Sequence, residues 1–287
     1  MIRDYYEITK PGIIYGNIIT VVAGFVLASS GNINFSLLIA TVFGISFVMA
    51  SGCVFNNCID RDIDALMERT KDRVLVRKRI PLRNACMYGS VLGILGVYLL
   101  TVYTNILTAT ASLVGLFVYV VIYSLWLKRS SVHHTIVGSI AGAMPLVVGY
   151  LAVTGKVDVG VIILFFVLSL WQMPHAFAIA LYRLSDYKAA SIPVLPLVKG
   201  VRATKIQMVI YTILFVISTL LLTVYGYAGK LYYGIMGILG FLFIIVVVKG
   251  LYIKTYHDNL WARKVFLFSI IVLVVFCVTI IVDRLIS

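Results

Sequence analysis

Long apolar stretches, separated by short polar segments, follow one another along almost the whole chain. A helix needs roughly 20 mainly apolar residues to cross about 30 Å of hydrocarbon, and nine stretches are close to that length. They lie at 12–29, 36–55, 86–104, 107–126, 136–153, 159–180, 206–226, 231–251 and 265–283. Strand-like alternation is absent. The pattern therefore predicts an all-α polytopic membrane protein, with nine transmembrane helices in one domain covering residues 1–287.

The composition supports this interpretation. Of the 287 residues, 62% are hydrophobic and 12% are charged, whereas soluble globular domains have about 25% charged residues. The mean hydropathy is +1.06. These values exclude an ordinary soluble enzyme and a disordered chain.

The positive charge is distributed unevenly between the two ends of the predicted bundle. The formal net charge is +13. When successive connections are assigned to opposite sides, 21 of the 24 Lys and Arg residues fall on one side. The positive-inside rule makes that side cytoplasmic and places the N-terminus there. Because the cations occupy short connections between apolar runs, their distribution argues against nucleic-acid binding.

The polar segment after the second span carries an amide and two carboxylates at helical spacing. Asn56, Asp60 and Asp64 lie four residues apart, so on a helix they form one stripe. Two carboxylates one turn apart repel each other unless a cation lies between them, and oxygen ligands of this kind suit Mg²⁺. The alternative is a solvated helix extension in which Arg61 and Arg69 screen the acids.

A run of cations follows this stripe between residues 69 and 79. Within this run, Lys71, Arg73 and Arg77 are candidates for binding a polyanion such as a diphosphate. The alternative is that the run sets membrane topology and contacts anionic lipid headgroups.

A second polar cluster follows the sixth span. Tyr182 and Asp186 are again four residues apart, with Arg183 and Lys188 beside them. His175 lies within the apolar segment. A polar residue at such a position indicates either a hydrogen bond between helices or a contact with substrate. Both clusters end an even-numbered span on the cytoplasmic side, which suggests a parallel duplication around a central cavity. By contrast, His133 and His134 are expected in an exposed loop.

The stripe of Asn56, Asp60 and Asp64 resembles the first aspartate motif of the UbiA superfamily of intramembrane prenyltransferases. Three longer strings are similar to its haem-farnesylating branch, the bacterial protohaem IX farnesyltransferases. These strings are KPGIIYGN at 10–17, NNCIDRDIDALMERTKDRVLV at 56–76 and WQMPHAFAIALYRLSDYKAASIPVLP at 171–196. The resemblance extends from about residue 5 to about residue 270.

The resemblance implies a nine-helix bundle in the cytoplasmic (inner) membrane that uses Mg²⁺, farnesyl diphosphate and haem B to make haem O. It implies that Asn56, Asp60, Asp64 and Asp186 hold the metal and that Tyr182 stabilises an allylic cation. Many superfamily members have DxxxD as a second motif, whereas this chain has Tyr at its first position, which leaves the number of Mg²⁺ ions open. A downstream haem-modifying enzyme or terminal oxidase is an implied partner.

Haem needs a flat apolar slot and cations for its two propionates. His175 is the candidate for contact with the iron or the macrocycle, and Arg183 and Lys188 are candidates for the propionates. Two other functions are open: a prenyltransferase acting on a quinone precursor or another aromatic acceptor, and a transporter. A transporter needs charged groups near the midplane, yet almost every charge here lies at the cytoplasmic boundary.

Overall fold

The computed structural model describes residues 1–253 and 258–286. Within these ranges, nine helices are long and apolar enough to cross a membrane. They are α1 (Pro11–Ser29), α2 (Phe35–Asp64), α3 (Leu82–Tyr103), α4 (Ile106–Ser130), α5 (His134–Thr154), α6 (Val159–Tyr182), α7 (Gly200–Val224), α8 (Lys230–Tyr252) and α9 (Asp258–Ile286). Lys254, one of the cations counted on the cytoplasmic side, lies outside the described residues.

All nine helices overlap the predicted spans, but several extend beyond the apolar run. The second helix continues to Asp64, so the acidic stripe is part of α2 itself. The seventh begins at Gly200 and the ninth at Asp258, several residues earlier than predicted. Hydrocarbon thickness limits the apolar run and not the helix, which can continue as a polar segment beyond the membrane boundary.

The even-numbered helices α2, α4 and α6 begin at side-chain caps. Asn34 accepts a hydrogen bond from the backbone N–H of Leu37 at 3.0 Å. In the same way, Oδ1 of Asn105 accepts from the backbone N–H of Thr108 at the start of α4, at 2.9 Å. Oδ1 of Asp158 accepts from the backbone N–H of Val161 at the start of α6, at 3.1 Å. Each cap satisfies one backbone donor that would otherwise lack a partner at the helix N-terminus. All three capped ends lie on the side opposite the acidic stripe.

Glycines let α1 and α5 approach until their backbones touch. A Cβ on Gly24 would lie 2.2 Å from the backbone oxygen of Leu146, and one on Gly149 would lie 2.1 Å from that of Val21. Small residues at such crossings are typical of helices that pack within membranes. An alanine at either position would therefore push the two helices apart.

Two helices carry the polar clusters into the bundle. The acidic helix α2 packs against α1, α3, α4 and α5, while α6 packs against α5, α7 and α9. Within α4, the stretch Val118–Leu127 has π-helical hydrogen bonding. Because successive helices cross in opposite directions, the C-terminal ends of α2, α4 and α6 and the N-terminal ends of α1 and α9 meet on one side.

Candidate functional site

The two carboxylates of the acidic stripe are fully buried at the end of α2. Asp60 is 0% exposed and Asp64 is 1% exposed. Lys128, at the end of α4, forms an ion pair with Asp60. Arg73, from the connection after α2, donates to Asp64 with 2.6 Å between Nη1 and Oδ2. Buried charges require such partners because desolvation is costly.

Asn56 is held by contacts from three directions. Its Nδ2 donates to Oδ2 of Asp60 at 2.8 Å and to the Ser124 hydroxyl at 2.9 Å. Its Oδ1 accepts from the ammonium of Lys10. The amide thus orients the Asp60 carboxylate, and its oxygen already has a cationic partner. The metal-ligand role of Asn56 stays a prediction.

In the sequence, Lys10 and Lys128 are only two of the 21 cations on the cytoplasmic side. Lys10 is in the left-handed region, with φ 54° and ψ 62°, immediately before Pro11. A non-glycine residue there is strained by about 1–2 kcal/mol. Burial, together with the nearby charges of Arg73 and Lys128, lowers the pKa of Lys10 to about 8. With Lys10, Arg73 and Lys128 near two carboxylates, the cluster has excess positive charge and is suited to an anion.

The donor set at the stripe fits Mg²⁺ when a ligand supplies further oxygens. In the described part of the chain, Oδ1 of Asp60 is buried without a hydrogen-bond partner. No group of three or more His, Cys, Asp or Glu side chains in residues 1–253 and 258–286 could hold a metal ion. Magnesium commonly takes one or two protein carboxylates and completes its shell with water and phosphate oxygens.

Asp186 is buried in the short helix Leu184–Ala189 that follows α6. Its role as a third metal-binding carboxylate, contributed from the other half of the bundle, stays a prediction.

Only one of the three candidate diphosphate cations contacts the stripe. Arg73 does so through Asp64, as described above. Lys71 pairs with Glu68 at 2.6 Å, and Nε of Arg77 donates to Asp72 at 2.9 Å. All four of these side chains are exposed. The diphosphate roles of Lys71 and Arg77 stay predictions that these contacts do not support.

Tyrosines connect the acidic stripe with the end of α6. Tyr119 and Tyr123 on α4 stack with their centroids 5.8 Å apart, and both interact electrostatically with Asp60. Tyr187 interacts electrostatically with both Tyr123 and Tyr182. Burial raises the pKa of Tyr187, which keeps its hydroxyl protonated. Sequence reasoning missed this residue because its partners come from distant helices.

At the end of α6, the Arg183 guanidinium lies over the Tyr182 ring, 5.0 Å from its centroid. The Tyr182 ring is 5.6 Å from that of Phe266 on α9. Lys188 is exposed, so the structure does not bring it into this cluster. Its propionate role stays a prediction.

His175 lies deeper, between Trp171 at 4.7 Å and Phe266 at 4.9 Å between ring centroids. Its Nδ1 is 2.8 Å from the Ser269 hydroxyl, which itself lies 2.6 Å from the Phe266 carbonyl. Since Ser269 donates its proton to that carbonyl, it accepts from His175. The imidazole is then protonated at Nδ1 and keeps a lone pair on Nε2.

The expectation that both loop histidines are exposed is wrong for His134. It is 4% exposed, and its Nδ1 lies 2.7 Å from the backbone oxygen of Ser131. His133 is exposed, as expected. His134 is buried because α5 begins there and its ring packs 5.9 Å from that of Tyr123.

Residues 17–278 match the UbiA prenyltransferase family. The chain is 51% identical to the protein named protoheme IX farnesyltransferase from Yersinia enterocolitica, over 94% of this chain and 91% of that protein. It is 49% identical to the protein of the same name from Photorhabdus laumondii, over 94% and 92% of the two chains.

Solved structures share the fold at lower sequence identity. A digeranylgeranylglyceryl phosphate synthase matches with a TM-score of 0.83 and 22% identity, over 100% of this chain and 99% of that one. A UbiA homologue from Archaeoglobus fulgidus, bound to DMAPP and Mg²⁺, matches with a TM-score of 0.69 and 16% identity, over 97% and 99%. The predicted all-α UbiA fold and the resemblance drawn from the motifs are confirmed. The chain belongs to the UbiA prenyltransferase family.

Proposed function

We propose that the protein transfers the farnesyl group of farnesyl diphosphate to a vinyl group of haem B, giving haem O and diphosphate. The observation that carries this proposal is the identity of about half of all aligned residues, over 94% of the chain, to proteins named protoheme IX farnesyltransferase. The buried, cation-rich stripe at the end of α2 supports it, because a diphosphate needs such a site.

The diphosphate would bind where Lys10, Arg73 and Lys128 converge on the stripe. Asp60 and Asp64, aided by Asp186, would hold Mg²⁺, which would neutralise charge on the departing diphosphate. The homologue bound to DMAPP and Mg²⁺ supports this combination of ligands in the family. Lys10, Arg73 and Lys128 stabilise the same charge, because they are already oriented before the allylic C–O bond breaks.

Cleavage of the allylic C–O bond leaves a cation that must be protected from water. The burial of Asp60 and Asp64 indicates that the end of α2 is closed to bulk solvent. The aromatic faces of Tyr119, Tyr123 and Tyr182 offer electron density to a cation, as in cation–π pairs. The vinyl carbon of haem then forms the new C–C bond. Water adds to the resulting porphyrin-side cation and loses a proton, which gives the hydroxyethylfarnesyl group.

The cytoplasmic membrane is the proposed location, with the N-terminus and the site on the cytoplasmic side. The cation asymmetry of the connections supports this orientation. Haem would then enter and leave at the inner leaflet. Either a haem-modifying enzyme or a terminal oxidase would accept the product.

Incubation of the purified protein with haem B, farnesyl diphosphate and Mg²⁺ tests the proposal. Mass spectrometry of the pigment should show haem B plus one farnesyl group and one hydroxyl. Omission of Mg²⁺, with chelator present, should abolish the product. Unmodified haem in the complete mixture, alongside a farnesylated quinone precursor in a parallel reaction, would support the aromatic-acceptor alternative instead.

A further inference from the structure

A cavity of about 400 Å³ opens between the end of α6 and the start of α9. It is lined by Tyr182, Arg183, Asn259, Arg263, Phe266 and Leu267. Its volume is in the range of small-molecule sites, roughly 300–1,000 Å³. It lies on the same side of the bundle as the acidic stripe, because α2 and α6 end there and α9 begins there.

The lining of this cavity is cationic without a compensating acid. Two guanidinium groups and one amide face it, and no carboxylate is among the lining residues. In residues 1–253 and 258–286, neither Arg183 nor Arg263 forms an ion pair. The Nε of Arg183 is also buried without a hydrogen-bond partner in that part of the chain. Two guanidinium groups in the lining, without an acid beside them, favour an anionic ligand in the cavity.

The inner wall of the cavity is aromatic. Tyr182 and Phe266 pack against each other there, Phe266 also packs against His175, and His175 stacks on Trp171. A flat apolar body fits such a wall, while its charged groups remain at the polar boundary. Tyr182 also interacts electrostatically with Tyr187, which interacts in turn with Tyr123 near Asp60.

We propose that this cavity is the acceptor subsite and that Arg183 and Arg263 each pair with one propionate of the porphyrin. Asn259 donates a further hydrogen bond to a carboxylate, and the rings of Tyr182 and Phe266 contact the macrocycle. Arg guanidinium groups suit this task because they pair with carboxylates in a bidentate geometry. This assignment rests on the proposed function, and it adds Arg263, Asn259 and Phe266 to the residues that the sequence indicated.

The test compares Arg263→Gln with Lys264→Gln in the purified full-length protein. Lys264 is an exposed cation on the adjacent position of α9 that does not line the cavity. We expect Arg263→Gln to raise the KM for haem B by about tenfold, as loss of one charge-assisted hydrogen bond predicts. The KM of Arg263→Gln for farnesyl diphosphate should stay within about twofold of wild type. The KM of Lys264→Gln for haem B should also stay within about twofold of wild type.

Haem B dimethyl ester separates a propionate contact from a general structural defect. Because both carboxylates are blocked, the ester should bind wild type and Arg263→Gln equally in a titration followed by absorbance. Equal losses for haem B and its ester would contradict the pairing, as would an unchanged KM for haem B. If Arg263→Gln weakens the binding of phosphatidylglycerol but leaves the binding of haem B unchanged, the cavity is a lipid site and the proposal is wrong.

The two proposals can fail separately. If wild type makes no farnesylated haem, the proposed reaction is wrong. The absorbance titration still decides whether Arg263 binds a porphyrin dicarboxylate.

Discussion

The ends of α2 and α6 occupy equivalent places in the chain but solve opposite electrostatic problems. At the end of α2, two buried carboxylates are each paired with a cation, and a third cation is held by Asn56. At the end of α6, Arg183 faces a cavity whose described lining contains no acid. One end is therefore built around acids with an excess of cations. The other presents Arg183 and Arg263 to a cavity, and it also carries the buried Asp186 in the short helix that follows.

This difference indicates how one scaffold can bring two anionic substrates together. Their charged groups would be held at separate places, and Tyr187 interacts with a tyrosine of each place, Tyr123 and Tyr182. Replacement of the expected first aspartate of the second motif by Tyr182 fits this division. An aromatic ring with a guanidinium 5.0 Å from its centroid can face a porphyrin, whereas a carboxylate at that position would repel propionates.

The strongest test of the acidic end is removal of its carboxylates. Asp60→Ala or Asp64→Ala should reduce turnover by at least about 10³-fold, because the metal and the departing charge lose their support. Asp62→Ala is the matched control. It lies on the same helix but pairs with Arg129 at the surface, at 2.7 Å. Farnesylation assays on folded protein check this, and full activity of either Asp60 or Asp64 variant would refute the metal role.

Two arginines of the same basic run should differ in effect. Arg73→Ala should lower kcat/KM for farnesyl diphosphate by about 10²-fold, since it also leaves Asp64 buried without its partner. Arg77→Ala should change it less than about threefold, because Arg77 is exposed and contacts Asp72. Steady-state kinetics of the two variants side by side measure the contrast. Equal losses would mean that the run acts as a unit on the substrate.

The pKa of Lys10, lowered to about 8, predicts a pH dependence of diphosphate binding. Lys10 is charged below that pH and loses its proton as the pH rises through it. Affinity for farnesyl diphosphate should therefore fall by up to about tenfold from pH 7 to pH 9. In Lys10→Arg, the affinity for farnesyl diphosphate should depend less on pH, because the guanidinium stays charged. In Lys10→Met, this affinity should be low at every pH. A profile of wild type that matches Lys10→Met would show that Lys10 does not contribute.

The smallest expected effect lies at the deep end of the α6 cluster. His175→Ala should weaken haem binding several-fold and leave farnesyl diphosphate binding largely intact. Its ring contacts Phe266, which lines the proposed acceptor cavity, and no contact joins it to the acidic stripe among the described residues. Ser269→Ala is the companion variant, since it removes the acceptor of the Nδ1 proton without removing the ring. Titrations of both variants with haem, followed by absorbance, measure the affinity for haem. If His175→Ala instead loses farnesyl diphosphate binding, His175 is not part of the acceptor site.

The apolar periodicity of the sequence was sufficient to predict the number of helices and their approximate positions. The helical spacing of Asn56, Asp60 and Asp64 was equally readable, because the contacts within the stripe are local. The partners of the stripe were not. Lys10 is 46 residues from Asn56 and Lys128 is 68 residues from Asp60, so only the packing of α1, α2 and α4 brings them together.

Local competition explains why some predicted cations lie away from the stripe. Lys71 and Arg77 have acids within five residues, and these nearby partners hold them at the surface. The cavity between α6 and α9 was hidden for a different reason. Arg183 and Arg263 are 80 positions apart in the numbering, and neither forms a recognisable motif with the other.

The π-helical stretch of α4 sets the direction in which the last side chains of this helix point. It carries Ser124, and Lys128 comes directly after it. Each residue of a helix adds about 100° of rotation. Deleting one residue from Val118–Leu127 would rotate Lys128 by about 100° away from Asp60 and leave that buried carboxylate without its ion-pair partner. A relative in which this stretch is a regular α-helix would need a cation from another position to pair with the buried carboxylate.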